Sequence, residues 1–487
     1  MGALVAVLNK KGEGIAKTAL NMFEMLADRR IEAFGIASPD NVKIGKTIQN
    51  LQHQEVDSRA IIGYAFTRIF ETEEPQPTML KNATIVFEGR TFLPSENLGI
   101  GKIAEKTGED YEDLAKTIVS ENEGDFAFVI ANHERIIAGR DPVGVRPLYY
   151  GENKYFTALA SERKMLWKIG IENPLSFPLG HILIANDHGF RFKPVKTLSY
   201  RKPTEMSFQK AAKELEILLR QSVKKRIKGL KEIAIAFSGG LDSSIIACLA
   251  KKSTSNVQLV HVSLENQAEA EYAKTVADEL KLPIKVFLYK EKEVEQVLPK
   301  VLWTAENSTP LSAAIGIPIY WVAEKAATMD YKVVLAGQGA DELFAGYKKY
   351  VDTYLRRGAE EARRKVFEDI ITLCEANLER DSKIFNFHNV ELRLPFACYA
   401  LAEFAVSLPL NLKIQPQDND LRKLVLRKVA QNLGLPSYVA AKPKKAIQYT
   451  TGVDKILKKL ASKQGVCTKE YLHRVFQDTM KKMSDNE

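Results

Sequence analysis

Residues 232–244 read EIAIAFSGGLDSS, and few folds accommodate such a segment. The apolar run is a buried strand, Gly239 and Gly240 permit a tight turn, and the hydroxyls of Ser238, Ser243 and Ser244 gather where a helix must begin. A helix N-terminus behind a glycine-rich turn offers backbone N–H groups and a partial positive charge, so the expected ligand is an anion, phosphate above all. SGG alone would be satisfied by a turn with nothing bound. SGGxDS behind a strand is far more specific, and it makes Asp242 a partner for Mg²⁺, because a carboxylate beside phosphates is tolerable only with a bridging cation.

The surroundings fit that reading. From Phe208 an amphipathic helix (Ala211, Leu215, Leu218, Leu219, Val223) leads into EIAIAF, and strands VQLVHVSL, IKVFLY and KVVLAG then alternate with helices. Such alternation predicts an α/β doubly wound parallel sheet, with its ligand crevice at the carboxyl ends of the strands. At the end of the fourth strand, LAGQGADELFAGY (335–347) places Asp341 and Glu342 behind another glycine-rich turn. As a pair they suit a metal facing a triphosphate, although acidic residues at a helix start also complement its dipole.

Before Tyr200 the pattern is different. Short strands (ALVAVL, ATIVFEG, DFAFVIA, RIIAGRD, HILIAND) follow one another between turns, with one marked helical stretch, GIAKTALNMFEMLADRR. This predicts an α+β layered domain on antiparallel sheets. LSYRKPTEMS reads as a linker in which Ser207 caps the next helix. With 487 residues, too many for one ordinary core, the chain is expected to form two domains, 1–200 and 201–487.

Composition excludes several classes. We find no apolar run of about 18 residues, so no membrane partner is expected, and Lys10 and Lys11 follow the first apolar run where a secretory leader would have them before it. Cys248, Cys374, Cys398 and Cys467 show no CxxC spacing, which argues against zinc and disulfides and suits a reducing cytoplasm. The net charge of +9 is spread over a long chain and reads as solvated Lys and Glu faces.

The two glycine-rich motifs together resemble those of the asparagine synthetase family. The resemblance continues through RDPVGVRPLYYG (140–151), LASERKML (159–166), SFPLGHILI (176–184), RDSKIFNFHNVELRLPF (380–396) and KPKKAIQYTTG (442–452). It implies an N-terminal nucleophile-type domain, of class II glutamine amidotransferase kind, that frees ammonia. It further implies a PP-loop ATP pyrophosphatase domain that uses ATP and Mg²⁺ to adenylate an acceptor oxygen before ammonia displaces AMP. Carried over by position, it implies nucleotide contacts at Ser238, Gly239, Gly240, Leu241, Asp242, Ser243, Ser244, Val262 and Gly337. Metal contacts fall at Asp242 and Asp341, and Lys444 stabilises charge as AMP is added.

The chain departs from the family in several places. The nucleophile is a cysteine at position 2, and here Gly2 has no side chain to attack with. Arg68 matches the arginine that holds the glutamine carboxylate. Where relatives have Asn-Gly for the oxyanion, Glu88-Gly89 offers a carboxylate that would repel developing charge, even were the cysteine restored. Gln338 stands where an acid is usual, so it can hydrogen-bond an acceptor but cannot take a proton from ammonia. In PLSAAIGIP (310–318), Ala313, Ala314 and Ile315 replace polar residues of the acceptor pocket, which suits an uncharged or aromatic acceptor, provided that this register holds. Glu306 falls near the acceptor in relatives, with a surface charge at a helix end as the other reading. Cys398 reads as a buried structural cysteine.

The expected function is therefore an ATP-dependent nitrogen-transferring ligase without glutaminase activity. Aspartate is the family's default acceptor, and ammonia or glutamine the nitrogen source. A tRNA nucleobase acceptor, as in archaeal relatives of cyano-deazaguanine synthase, is one alternative, and a β-lactam synthetase-like acceptor another. A non-catalytic ATP-binding scaffold is the alternative from a different class. A homodimer is compatible with all of these.

Overall fold

The computed structural model describes residues 2–11, 14–52, 56, 58–92, 110–254, 256–415 and 418–485. It divides into two compact units, Met1–Leu198 and Ser199–Glu487.

The first unit is built on strands β1 (Gly2–Asn9), β2 (Ala33–Ala37), β3 (Val42–Gly45), β4 (Ala60–Phe66), β5 (Thr78–Leu80), β6 (Ala83–Thr91), β7 (Gly124–Ala131), β8 (Ile136–Arg140), β9 (Tyr149–Glu152), β10 (Phe156–Ala160), β11 (Leu175–Ser176), β12 (His181–Asn186) and β13 (Gly189–Pro194). They form a seven-stranded sheet in the order β11-β9-β10-β1-β4-β2-β3 and a six-stranded sheet in the order β13-β12-β8-β7-β6-β5. β1 lies between β10 and β4, antiparallel to both.

Burial on both faces explains why β1 is apolar throughout instead of alternating. Leu4, Ala6 and Leu8 face the second sheet and pack with Val86, Ala127, Val129, Ala138 and Leu183. The other face of the first sheet is covered by α1 (Ala16–Glu24), which buries Ala19, Leu20, Met22 and Phe23. On the far side of the second sheet, Phe126, Phe128 and Ile130 pack against Leu114, Ile118 and Val119 of α2 (Tyr111–Glu121). The layers run helix, sheet, sheet, helix, which is the α+β architecture expected. The first helix is shorter than its apolar pattern suggests: residues 25–28 turn away, and Arg29 is buried against Glu162 at 2.8 Å.

In the second unit Ser207 caps α3 (Phe208–Ile227) by accepting from Lys210 N. Then come β14 (Glu232–Ala236), α4 (Leu241–Lys251), β15 (Asn256–Leu264), β16 (Ile284–Tyr289), α5 (Glu291–Ala305), α6 (Pro310–Thr328), β17 (Val333–Leu335), α7 (Ala340–Leu343), α8 (Glu379–Phe387), β18 (Glu391–Arg393) and α9 (Leu424–Asn432). The sheet order is β16-β15-β14-β17-β18, all parallel. The chain winds outward from β14 to β16 and then crosses to β17 on the other side. The carboxyl ends of β14 and β17 are therefore neighbours where the winding reverses, the place where such sheets bind ligands. β18, three residues long, carries no periodic signal in the sequence. Among the described residues no helix is long and apolar enough to cross a membrane.

Lys413 is the most unusual core residue of this unit. Its Nζ donates to Ala405 O at 2.6 Å among Val366, Phe367, Ile370, Val406 and Leu408. Burial, reinforced by the nearby Arg363, pushes its amine down to about 7. An unfolded lysine titrates near about 10.4, so the unfolded chain binds more protons between these values and stability contributed by this group rises with pH across about 7 to 10. Lys413→Met is expected to raise the melting temperature below pH 7 and to flatten that rise. Calorimetry between pH 6 and 9.5 checks it; an unchanged slope would contradict the assignment.

Candidate active site

The two loops at the switch point meet through glycine. A Cβ on Gly337, after β17, would stand 3.1 Å from Asp242 Cβ, after β14. In the first loop Gly239 has φ +69°, and a Cβ there would press on Tyr272 and Ala273 at 3.1 Å. Gly240 caps α4, and its N–H donates to Ser238 Oγ at 3.2 Å, while Ser243 Oγ donates to Gly240 O at 3.2 Å. Leu241 and Ser244 are buried in the first turn, with no hydrogen-bond partner for Ser244 Oγ among the described residues. Val262 is buried near the end of β15, next to His261, whose Nδ1 donates to Phe237 O at 2.8 Å.

The charged groups alternate across the crevice. Lys423 Nζ donates to both carboxylate oxygens of Asp242, at 2.8 and 2.7 Å, and pairs with Asp341 Oδ1 at 2.7 Å. Lys444 Nζ pairs with Asp341 Oδ2 at 2.6 Å. Burial would raise the Asp341 carboxyl, but Lys423 and Lys444 outweigh it and hold the group well below the usual carboxylate range. Lys444 is raised in turn, the attraction of Asp341 and Asp242 overcoming burial. Gly346 makes room for this packing, since a Cβ there would collide with Asp341 Oδ1 and Lys423 Cε. Lys423 itself holds a left-handed backbone, φ +61°, just before α9.

Glu342 does not share this role. It is buried away from the lysines, accepting from Tyr347 Oη at 2.7 Å and Asn377 Nδ2 at 2.9 Å. Burial, then the Asp341 charge, raises its carboxyl. The pairing of Asp341 with Glu342 as metal ligands is corrected accordingly: successive residues of a short helix point different ways. Asp242 and Asp341 remain a donor set suited to Mg²⁺, which is held by one or two carboxylates together with substrate phosphates. Among the described residues no group of three or more such ligands gathers.

Behind the crevice lies a buried charged helix. Gln338 Nε2 donates to Asp381 Oδ2 at 3.0 Å, and Arg380 Nε to Asp381 Oδ1 at 2.8 Å. Glu306 ends α5 and is buried, accepting from Lys383 Nζ at 2.8 Å, so it is no surface charge. Ala313, Ala314 and Ile315 lie on α6, where Ala313 and Ala314 are packed into the core and only Ile315 keeps partial exposure. An open apolar lining from all three is not what the helix presents. Cys398 is buried, as expected.

The first unit arranges its expected site differently. Gly2 shares the inter-sheet face of β1 with Leu4, and a Cβ there would collide with the Ala65 carbonyl and the Tyr64 ring, whose hydroxyl would be 2.6 Å away. Glu88 is buried and accepts from Ser161 Oγ at 2.5 Å, and Ser161 Oγ accepts from Leu4 N at 2.9 Å. Burial raises the Glu88 carboxyl against the pull of Arg146 and the Ser161 hydrogen bond. Gly89 takes φ +113°, where a Cβ would strike Asp125 O. Arg68 is apart from this cluster: it is partly exposed, with NH1 donating to Glu71 O at 3.0 Å and Nε 3.8 Å from Glu32.

Lys423, Asp381, Lys383 and Tyr64 are the site residues that sequence reasoning missed. Lys423 sits in LRKLVLRK, indistinguishable from a cationic helix face.

The sequence model described as Asparagine synthase matches residues 214–365 and 353–482, and that described as Glutamine amidotransferase domain matches 103–168, of which 103–109 lie outside the described residues. A Methanocaldococcus jannaschii protein, provisionally named asparagine synthetase [glutamine-hydrolyzing] 1, is 30% identical over 96% of this chain and 97% of its own. The chain belongs to the asparagine synthetase family. An asparagine synthetase [glutamine-hydrolyzing] of Triphysaria versicolor is 26% identical over 75% of this chain and 64% of its own. A solved glutamine phosphoribosylpyrophosphate amidotransferase from B. subtilis, complexed with ADP and GMP, is 14% identical with a TM-score of 0.36, over 59% of this chain and 81% of its own. Membership of the asparagine synthetase family implies an ATP-dependent carbon–nitrogen ligase.

Because Gly2 is packed without a side chain, Gly2→Ala is expected to destabilise the chain by about 1–3 kcal/mol through overpacking. Denaturant unfolding measures it, and Gly2→Ala combined with Tyr64→Ala should lose less than the two separate costs added together.

Proposed function

We propose that this chain adenylates an acceptor oxygen with ATP in the crevice between β14 and β17, releases pyrophosphate, and transfers nitrogen from free ammonia. The observation that carries the reading is the alternation Asp242, Lys423, Asp341, Lys444 across the two loops of the switch point. In it two ammonium groups are held where phosphates would arrive, and each is at present neutralised by a carboxylate. The N–H groups of the Ser238–Ser244 loop would bind the pyrophosphate portion of the nucleotide. Lys423 and Lys444 would exchange carboxylate for phosphate oxygens and stabilise the charge that develops as AMP is transferred. Mg²⁺, held by Asp242 and Asp341, would neutralise phosphate charge.

Ammonia, not glutamine, is the nitrogen source in this reading. Support comes from Gly2, from the Tyr64 ring packed over it, and from the burial of Glu88 where an oxyanion donor belongs. Four free cysteines suit a reducing cytoplasm.

The test is pyrophosphate release from ATP with ammonium chloride and either aspartate or bulk tRNA, which also decides between an amino acid and a nucleobase acceptor. Lys444→Met is expected to slow release by about 10²-fold or more, the scale of one lost electrostatic stabiliser. Glutamine without ammonium should yield no glutamate; glutamate formation would overturn the ammonia assignment. ATP binding without pyrophosphate release under any acceptor would instead favour a scaffold.

A further inference from the structure

Gln338 is chemically mute in the sequence, and its partners give it a direction. It follows Gly337 at the lip of the crevice and is partly exposed. Its Nε2 donates to Asp381 Oδ2 at 3.0 Å, while Arg380 Nε donates to Asp381 Oδ1 at 2.8 Å. The Asp381 side chain has no exposed surface, and that of Arg380 is 6% exposed. A carboxylate paired with a guanidinium can only accept hydrogen bonds. The amide NH₂ of Gln338 must therefore face Asp381, because the flipped amide would set two acceptor oxygens against each other. It follows that Oε1 is turned away from Asp381. Among the described residues no donor reaches it.

We propose that Asp381 is a positioning residue. Pinned by Arg380, it locks the Gln338 amide so that Oε1 is presented to the crevice as an acceptor for an N–H of the incoming nitrogen nucleophile. This rests on the proposed function. Neutral ammonia forms the new C–N bond to the adenylated carbon, the C–O bond to AMP breaks with its electron pair leaving on AMP, and the surplus proton passes to solvent. Gln338 orients the nitrogen and takes no proton, so the residue contributes hydrogen-bond positioning in place of acid–base work.

Two measurements on the full chain test this. Without substrate, the Gln338 side-chain amide, identified in ¹H–¹⁵N spectra by its loss in Gln338→Met, should exchange with solvent at least about 10-fold faster in Asp381→Asn, where the charged hydrogen bond is gone. With ATP, aspartate or tRNA as the acceptor that releases pyrophosphate, and varied ammonium chloride, Asp381→Asn and Gln338→Met should each raise KM for ammonia by about 3- to 10-fold, the size of one hydrogen bond. The maximal rate of pyrophosphate release should change less than KM does, and Asp381→Glu should partly restore KM. Gln338→Met leaves the Arg380–Asp381 pair intact, so it serves if Asp381→Asn folds poorly. An unchanged KM in Gln338→Met, or amide exchange indifferent to Asp381, would overturn the proposal. Absence of pyrophosphate release from the unaltered chain would overturn the functional reading, while the exchange measurement still judges the orientation.

Discussion

The ammonium of Lys423, bonded to Asp242 on one loop and Asp341 on the other, is the interaction on which the second unit's crevice depends. Two carboxylates brought together at neighbouring strand ends repel each other, and burial adds a desolvation cost. A cation between them turns the repulsion into attraction and offsets part of the desolvation cost. Lys444 extends the alternation by one charge, and Gly346 and Gly337 supply the close approach it needs. The arrangement holds the Asp341 carboxyl ionised and keeps both side chains converging on one cation.

A second layer of charge sits behind the first. α8 buries Glu379, Arg380, Asp381 and Lys383, and it follows a single π-helical turn, Cys374–Leu378, of the kind that often marks functional sites. Each buried charge with a described partner is matched, Lys383 with Glu306 and Arg380 with Asp381. Lys383–Glu306 ties α5 to α8, and the Gln338–Asp381 hydrogen bond ties α8 to the loop after β17, so that the orientation of Gln338 is inherited from a buried helix.

In the first unit the inter-sheet space beside Gly2 is filled by a side chain from the neighbouring strand. Tyr64 lies diagonally across from Gly2 on the same face of the sheet, since Leu4 pairs with Tyr64 and Gly2 with Phe66. A glycine at position 2 and a large ring at position 64 are complementary in volume. Glu88 completes the filling by burying its carboxyl against Ser161. Apolar sheet packing needs none of the three residues to be catalytic.

Strand EIAIAF, its SGGLDSS turn and the alternation around it already determined the parallel α/β sheet and the position of its crevice, because periodicity and glycine placement are local properties of the chain. The antiparallel layers of the first unit were legible in the same way, as were Asp242, Asp341 and Lys444 through their motifs. Lys423, Asp381 and Tyr64 were not. Each acts through a partner distant in sequence, 181 residues for Lys423 and Asp242 and 43 for Gln338 and Asp381, and no local pattern records such a pairing. Glu342 and Glu306 show the same limit: the direction of a side chain at a helix end is decided by what packs against it. Tertiary structure alone turned a run of cationic residues into a bridge between two carboxylates, and a neutral glutamine into an oriented hydrogen-bond acceptor.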